Sequence, residues 1–458
     1  MGITLATWEK LVKALDKGET NEIKEFLKFL SPVELAEIME ELSLPKLHRL
    51  LPFLTEKEIA GAFEFMNPDT QGLMAFHFDN HKLAQVINQM SPDEAADFLT
   101  LLDEGRVQEI FNYLDQETSN DLQKLMTHSP DTAGGLMTSD FIAFQADKTV
   151  GETLEEIQFL ELEDSEILSY IYVVDQREKL IGVVSLREIF KASNETLIKD
   201  IMHDKVISVE LDTDQEEVAA ILERHGFLTI PVIDEENILQ GIVTLDDMLE
   251  VIERETTEDI YKQSGLSVTD TEFLRSEKIL KAPVLTILKL RIPWLVIVLV
   301  GGILAGGVIG QFEEILQSVV VLAFFIPVIM DMGGNVGTQS STIVVRGVVL
   351  GQIDTRNIWT FLGKETLIGF TIGVLAGAAA ALVAFLWQRE PLVSLVVFLS
   401  MTLTCTLAST IGYLIPMLSH RFGYDPAASS NPLITTIKDI SGLLIYFSLA
   451  SFLLRQFL

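Results

Sequence analysis

Asp439 lies in the apolar stretch TTIKDISGLLIYF, where a carboxylate has no routine packing role. A charge in hydrocarbon is costly and normally faces a bundle interior or a water-filled path. An earlier apolar stretch, PVIMDMGGNVGTQS, carries Pro327, Asp331, Gly333, Gly334, Asn335, Gly337, Thr338 and Gln339. Glycines beside polar residues let backbone carbonyls approach one another or an ion. Asn431, Thr435, Thr436, Lys438 and Ser441 flank Asp439, and Thr402, Thr404, Thr406, Ser409 and Thr410 punctuate a third stretch. Carboxylate, hydroxyl and carbonyl oxygens form a donor set for a hard cation such as magnesium or calcium, not zinc or copper. The hydroxyls of the third stretch serve equally well as helix-packing glue, and an ion pair with Lys438 is the alternative for Asp439. Adjacent helical residues point about 100° apart, so Asp439 is expected to face a pore while Lys438 turns elsewhere. One such Asp per chain needs two chains to make a paired carboxylate.

A second set of acids fills LDDMLEVIERETTEDIYKQSGL (245–266): Asp246, Asp247, Glu250, Glu253, Glu255, Glu258 and Asp259. A solvated helix face is the default for such a run. Crowded carboxylates also repel unless cations bridge them, and a bridging cation favours the conformation it binds better. Placed beside a membrane cation path, the run reads as a sensor.

These residues belong to two unlike halves. Of 33 basic and 66 acidic residues in 458, nine and eight lie from Pro283 onward, leaving 24 and 58 before it, a net of −34. The first half is acidic and soluble in character; the second is nearly neutral and apolar. The acidic surface and the absence of a basic patch argue against a nucleic-acid partner. A single cysteine, Cys405, excludes a disulfide framework and a thiolate metal cluster. The polar, helix-like start predicts no signal peptide and a cytosolic beginning.

Five apolar segments of spanning length are expected in the second half, near 283–310, 315–345, 358–387, 392–418 and 432–457. The second is long enough that it must be tilted or broken. Lys278, Lys281, Lys289 and Arg291 precede or open the first span. Arg346, Arg356 and Lys364 lie between the second and third, and Arg421 between the fourth and fifth. The positive-inside bias places the soluble half in the cytoplasm and the C-terminus outside, with Arg455 in weak opposition.

In the first half, LMTSDFIAFQADKTVGETLEEI repeats as IMHDKVISVELDTDQEEVAAIL, and YIYVVDQREKLIGVVSLREIF as LTIPVIDEENILQGIVTLDDML. Each unit reads as strand, helix, strand, turn, strand, helix. The pair resembles tandem CBS (Bateman) domains, whose cleft can bind adenine nucleotides. A hydroxyl and an acid follow the last strand of each unit, Ser185 with Glu188 and Thr244 with Asp247. Tyr170, Arg187, Glu188 and Phe227 are the candidate nucleotide contacts. Residues 1–130 are helical in pattern; SPVELAEIMEEL (31–42) and SPDEAADFLTLL (91–102) share a Ser cap and a first-turn Pro, a 60-residue offset that predicts a superhelical stack. His77 and His81, four apart, lack an H-E-x-x-H setting.

Over essentially its whole length the chain resembles the MgtE family of magnesium channels and transporters. The resemblance rests on P-x-x-x-D-x-G-G-N-x-G-x-Q from Pro327 to Gln339, DTAGGLMT (131–138), T-T-E-D-I (256–260) and DPAASSNPLITTIKDISGLLIYF (425–447). It implies a multidomain membrane protein: an α-helical superhelix (1–130), two α/β CBS units (131–195 and 196–250), a connecting or plug helix (251–282) and a five-helix transmembrane pore domain (283–458). It further implies a homodimer in the lipid bilayer, with Mg2+ both transported and regulatory, and adenosine triphosphate as a modulator of the CBS pair. By position the pore residues are Asp439, Asn335, Asn431, Thr435, Thr436 and Gly334. The acids expected to hold regulatory Mg2+ are Asp93, Asp97, Glu216, Asp247, Glu250, Glu255, Glu258 and Asp259. The family's acid pattern is not matched around Glu223 and Gly226.

From the residues alone, a gated cation path competes with a nucleotide sensor on an inert membrane scaffold and with a secondary exchanger. No nucleophile–base pair or phosphate loop appears, so an enzyme is not expected.

Overall fold

From Glu19 onward a helix start falls every twelve residues, with caps at Glu19, Ser31, Ser43, Thr55, Asn67, Asp79, Ser91, Asp103 and Asp115. The helices are α1 (Leu5–Lys17), α2 (Thr20–Leu27), α3 (Pro32–Glu41), α4 (Leu44–Leu50), α5 (Glu56–Glu64), α6 (Pro68–Ala75), α7 (Asn80–Ile87), α8 (Pro92–Thr100), α9 (Glu104–Phe111) and α10 (Gln116–Leu125). Ser31 and Thr55 close capping boxes with Glu34 and Glu58, satisfying free N–H groups of α3 and α5. The structural repeat is a helix pair of 24 residues. Glu40, Glu64 and Asn88 accept from the backbone N–H of Asn67, Ser91 and Asp115, each step 24 on from the last. Leu35, Ile59 and Leu83 are buried at that spacing, as are Met39, Phe63 and Ile87. The 60-residue offset seen in the sequence is five single-helix steps, not the repeat. Stacked helix pairs that bury one face against their neighbours form a superhelix.

This computed structural model describes residues 5–159, 169–266, 279–280, 282–349, 352–353, 357–428 and 431–455. Lys278, Lys281 and Arg356, used above for topology, lie outside them. The chain forms two compact units, Met1–Leu249 and Glu250–Leu458.

The CBS repeats follow α11 (Ala133–Leu136). The first holds β1 (Ala143–Gln145), α12 (Val150–Phe159), β2 (Tyr170–Val174), β3 (Leu180–Ser185) and α13 (Leu186–Ile189). After α14 (Ile198–Ile201), the second holds β4 (Val209–Glu210), α15 (Gln215–His225), β5 (Thr229–Ile233), β6 (Leu239–Thr244) and α16 (Leu245–Gln263). The element order read from the repeat is present in both units, and in each sheet the first strand runs parallel to the second and the third antiparallel. The repeats are interlaced. Thr138, ahead of the first, bridges to Ile242 of β6; His203, ahead of the second, bridges to Val183 of β3. Glycine is required at the first of these crossings, where a Cβ at Gly241 would fall 2.6 Å from the Thr138 carbonyl oxygen, while one at Gly182 would press on the Met202 side chain, 2.5 Å from Sδ. α16 begins directly after β6, six residues before the start expected for the connecting helix, and residues 267–278 of that segment lie outside the description.

The second unit contains α17 (Val284–Gln311), α18 (Glu313–Ser318), α19 (Leu322–Val349), α20 (Ile358–Gln388), α21 (Pro391–Arg421) and α22 (Asn431–Leu453). Among the described residues four of these, α17, α20, α21 and α22, are long and apolar enough to cross a membrane, so the chain is a multi-pass membrane protein. The span expected second in sequence is as long, but Asp331, Asn335, Thr338 and Gln339 make α19 too polar to qualify by composition. The long segment from 315 to 345 is broken, with residues 319–321 separating α18 from α19. Small residues bring the helices together. Gly369, Gly373 and Gly377 of α20, four apart, lie where a Cβ would strike α21, at 2.5 Å from Ser409 Cβ, 2.7 Å from Thr402 O and 2.8 Å from Phe398 O.

Candidate functional site

α19 presents Asp331, Asn335 and Gln339, spaced four apart, on an exposed stripe, where Asn335 Nδ2 donates to Asp331 Oδ2 at 3.4 Å. α22 packs beside α19 and carries Asp439. Contrary to the helical-wheel expectation, Lys438 does not turn elsewhere: its ammonium forms an ion pair with Asp439 Oδ1 and donates to the Met330 carbonyl at 2.7 Å. The side chains leave the helix in different directions, but four methylenes let the lysine reach back to its neighbour. Asp439 Oδ1 is buried, and the open third of the side chain belongs to the rest of the group.

The other pore candidates differ in their engagements. Gly334 sits against the lysine, Thr435 is half-buried, and Asn431 Oδ1 is buried without a hydrogen bond. The Thr436 hydroxyl donates to Pro432 O at 2.9 Å, and its methyl fills the space beside Gly301 of α17. On α21, Thr402, Thr406 and Thr410 donate to carbonyls one turn back, and Ser409 to Glu365 O. Those hydroxyls bond to backbone, the packing role the sequence left open.

In the first unit, Asp93 and Glu94 in the first turn of α8 meet Asp247 in the first turn of α16. One carboxylate oxygen from each lies within 4.8 Å of the others. Burial pushes Asp93 up to about 8, with the Asp247 charge adding to it. Burial and then the Asp93 charge push Glu94 up to about 9. Asp93 Oδ1 is buried and accepts no hydrogen bond. A crowded all-carboxylate set with an unfilled oxygen fits a hard divalent cation. Glu94 was not anticipated; the sequence signal was its place beside Asp93 in the helix's first turn. Asp97, one turn on, is exposed and adds its charge to both. Glu216 is exposed in the first turn of α15.

The second unit holds another charged group. Lys262, near the end of α16, bonds Glu258 at 2.6 Å and Asp425 at 2.7 Å. Burial opposes its charge, but these two carboxylates hold the ammonium above its usual range. Asp259 is 9% exposed; burial, then the Asp425 charge, pushes it up to about 6, while Lys262 works against the shift. The nearby Glu255 raises it further, and Glu250 is exposed. Gly265 follows in a left-handed conformation (φ 77°), tight against Pro432 and Trp294. The sequence reading missed Lys262 and Asp425 here.

The nucleotide candidates lie at the ends of the first repeat's strands and before β5. Tyr170 pairs across the sheet with Ser185. Ser185 and Glu188 form a capping box, and Glu188 Oε1 lies 2.8 Å from His203 Nε2. Both side chains are therefore bonded within the protein, a partner set the sequence did not reveal. Arg187 is exposed, and Phe227 stacks on His225 at 5.2 Å between ring centroids. His77 packs against His48 and His81 against Tyr113, so the two histidines are directed at different rings.

Three family profiles match, over four regions. The intracellular N domain of MgtE covers residues 30–131, CBS domains cover 133–195 and 198–254, and the MgtE divalent cation transporter profile covers 326–449. The chain is 35% identical over 448 residues to the magnesium transporter MgtE of Thermus thermophilus, covering 97% of this chain and 98% of that one. This chain belongs to the MgtE family. The family is one of magnesium transporters, not enzymes. The Bacillus subtilis magnesium transporter MgtE is 33% identical over 96% of each chain. Among solved structures, the cytosolic domain of the Mg2+ channel MgtE in complex with ATP is similar at 34% identity and TM-score 0.51, covering 53% of this chain and 99% of that one. The soluble part of a magnesium transporter matches at 30% identity and TM-score 0.51, covering 55% of this chain and 98% of that one.

Proposed function

We propose that this MgtE-family chain is a magnesium-selective channel that admits Mg2+ down its electrochemical gradient and closes when cytosolic Mg2+ is high. The observation that carries the reading is Asp439: a part-open carboxylate in an apolar helix, beside a polar exposed stripe on α19. Such a stripe has no stable place against lipid. Two copies of the chain would set Asp439, Asn335, Asn431, Thr435, Thr436 and Gly334 around a shared axis, with α19 bringing the spans to five. Magnesium dehydrates reluctantly, so a carboxylate ring grips its hydration water rather than the bare ion. The cytosolic domains and connecting helix, with the boundaries given above, face the cytoplasm, and the C-terminus lies outside.

Closure rests on the acids. Without a cation, Asp93, Glu94 and Asp247 repel one another, as do Asp259 and Asp425; a bound divalent cation lifts that cost only in the arrangement that holds them together. Asp97, Glu216, Glu250, Glu255 and Glu258 belong to the same regulatory set. Adenosine triphosphate binding between the CBS repeats, with Tyr170, Arg187, Glu188 and Phe227 as contacts, is supported by the relative solved with ATP.

Magnesium uptake in cells lacking other magnesium transport tests the pore: D439A is expected to abolish it, and wild-type uptake would sink the assignment. Patch-clamp recording tests the gate: neutralising Asp247, Glu255, Glu258 and Asp259 is expected to keep current flowing at millimolar internal Mg2+, and unchanged inhibition would refute the gate. An inert scaffold would carry no current at all, and an exchanger would carry flux that depends on a counter-ion.

A further inference from the structure

Lys438 occupies a built space. It is 2% exposed, in a helix flanked by apolar neighbours. Its stem runs over glycine: a Cβ at Gly333 would fall 3.0 Å from Lys438 Cδ and 2.9 Å from Thr404 Cγ2, and one at Gly334 would fall 3.2 Å from Lys438 Nζ. The ammonium donates to the Met330 carbonyl at 2.7 Å and forms an ion pair with Asp439 Oδ1. A buried lysine is expensive unless its charge is met. Here both the passage and the partners come from α19 and α22, the helices that carry the candidate pore residues.

We infer that Lys438 is a positioning residue for cation passage, fixing Oδ1 of Asp439 and offsetting its charge so that divalent cations are released as well as bound. This rests on Asp439 as the pore acid. An uncompensated carboxylate attracts a divalent cation twice as strongly as a monovalent one at the same distance. That helps entry and hinders exit, whereas conduction needs binding weak enough to leave. The ion pair resolves the conflict locally. Oδ1 is turned into the protein, and the open part of the carboxylate remains an acceptor for the ion's hydration water. The net charge facing the path is reduced, so the site grips the hydrated ion without trapping it. Helix packing alone would not require the ammonium to end on the one carboxylate proposed to meet the ion.

The test is Mg2+ flux into liposomes holding the purified full-length protein, measured against external Mg2+ for wild type, K438M, K438R, G334A and D439A. K438M is expected to lower the half-saturating concentration by about tenfold and to lower the maximal flux as well. K438R, which keeps the charge, is expected to stay within about threefold of wild type. G334A, whose new methyl meets only the ammonium, should shift half-saturation in the same direction by less. An unchanged or raised half-saturation in K438M overturns the inference, as does K438R behaving like K438M. If K438M fails to fold, G334A decides: wild-type half-saturation there overturns the role of Lys438. Failure of the pore assignment looks different. Wild-type flux through D439A removes the pore acid itself, whereas a dead D439A beside a wild-type-like K438M removes only Lys438.

Discussion

In the first CBS repeat the acid three residues past the last strand, Glu188, accepts from Ser185 N at 3.0 Å and Ser185 Oγ at 2.7 Å, and meets His203 at 2.8 Å. In the second, the equivalent Asp247 accepts from Thr244 Oγ1 at 2.5 Å, and its open side meets Asp93 and Glu94. The backbone places both acids alike: Tyr170 faces Ser185 across one sheet as Thr229 faces Thr244 across the other. Their electrostatics diverge. Hydrogen bonds from Ser185 and His203 outweigh burial and hold Glu188 below the usual carboxylate range. Burial and mutual repulsion push the group around Asp247 the other way. Duplication supplied one geometry, and each copy acquired its own neighbours: a histidine for one, two further acids for the other. A satisfied acid suits a structural post, and an unsatisfied cluster suits a cation-dependent contact.

Removing the acids should expose that difference most strongly. If the proposed gating holds, Asp247→Asn is expected to raise the internal Mg2+ needed for closure by about 10–100-fold, the range for a damaged metal site, while Glu188→Gln leaves it within about twofold; current recorded against internal Mg2+ reads both. Equal shifts would erase the distinction.

The pH dependence of stability is the next largest effect. Asp93 and Glu94 bind protons more tightly folded than unfolded, so between their ordinary values and about 8 to 9 the folded chain holds more protons. Stability without divalent cations should therefore fall as pH rises from about 4 to about 9. Added Mg2+ should restore it at the alkaline end, where the carboxylates are ionised and free to bind. Thermal melting with and without Mg2+ across that range measures it, and Asp247→Asn should flatten the slope.

Smaller effects are expected on the satisfied side. Ser185→Ala removes the cap of α13 and should cost about 1 kcal/mol in denaturant unfolding, independent of Mg2+. His203→Gln breaks a pair in which the histidine is two-thirds exposed and should cost about 0.2–1 kcal/mol. A Mg2+-dependent loss in either variant would mean the first repeat also senses cations.

The repeat and its strand order were legible because the two copies share their apolar alternation almost position by position. The stack of helices was legible in kind but not in period. Ser31, Ser43 and Ser91 share a letter, whereas Thr55, Asn67 and Asp79 take the same cap position with other letters and so hide the twelve-residue step. Asp439 stood out because a carboxylate in an apolar run has few uses. Its ion pair with Lys438 was legible only as the alternative, since angles around a helix describe Cβ directions and not where a long side chain ends. Asp425 and His203 were beyond reach for a common reason: each acts through a residue distant in sequence, and no local pattern encodes that meeting, whereas Glu94 had a local cue in its place beside Asp93.

The interlaced sheets also set a timetable for biosynthesis. The segment at Thr138 finds its strand partner only at Ile242, and Val183 waits for His203. At about 5–20 residues per second, the nascent chain carries that first edge unpaired for roughly 5–20 seconds after it is made. The first repeat is not a finished product when its own last residue leaves the ribosome, because β3 still waits for His203. A chain truncated before β6 would therefore leave Thr138 without its strand partner and the second sheet without its third strand.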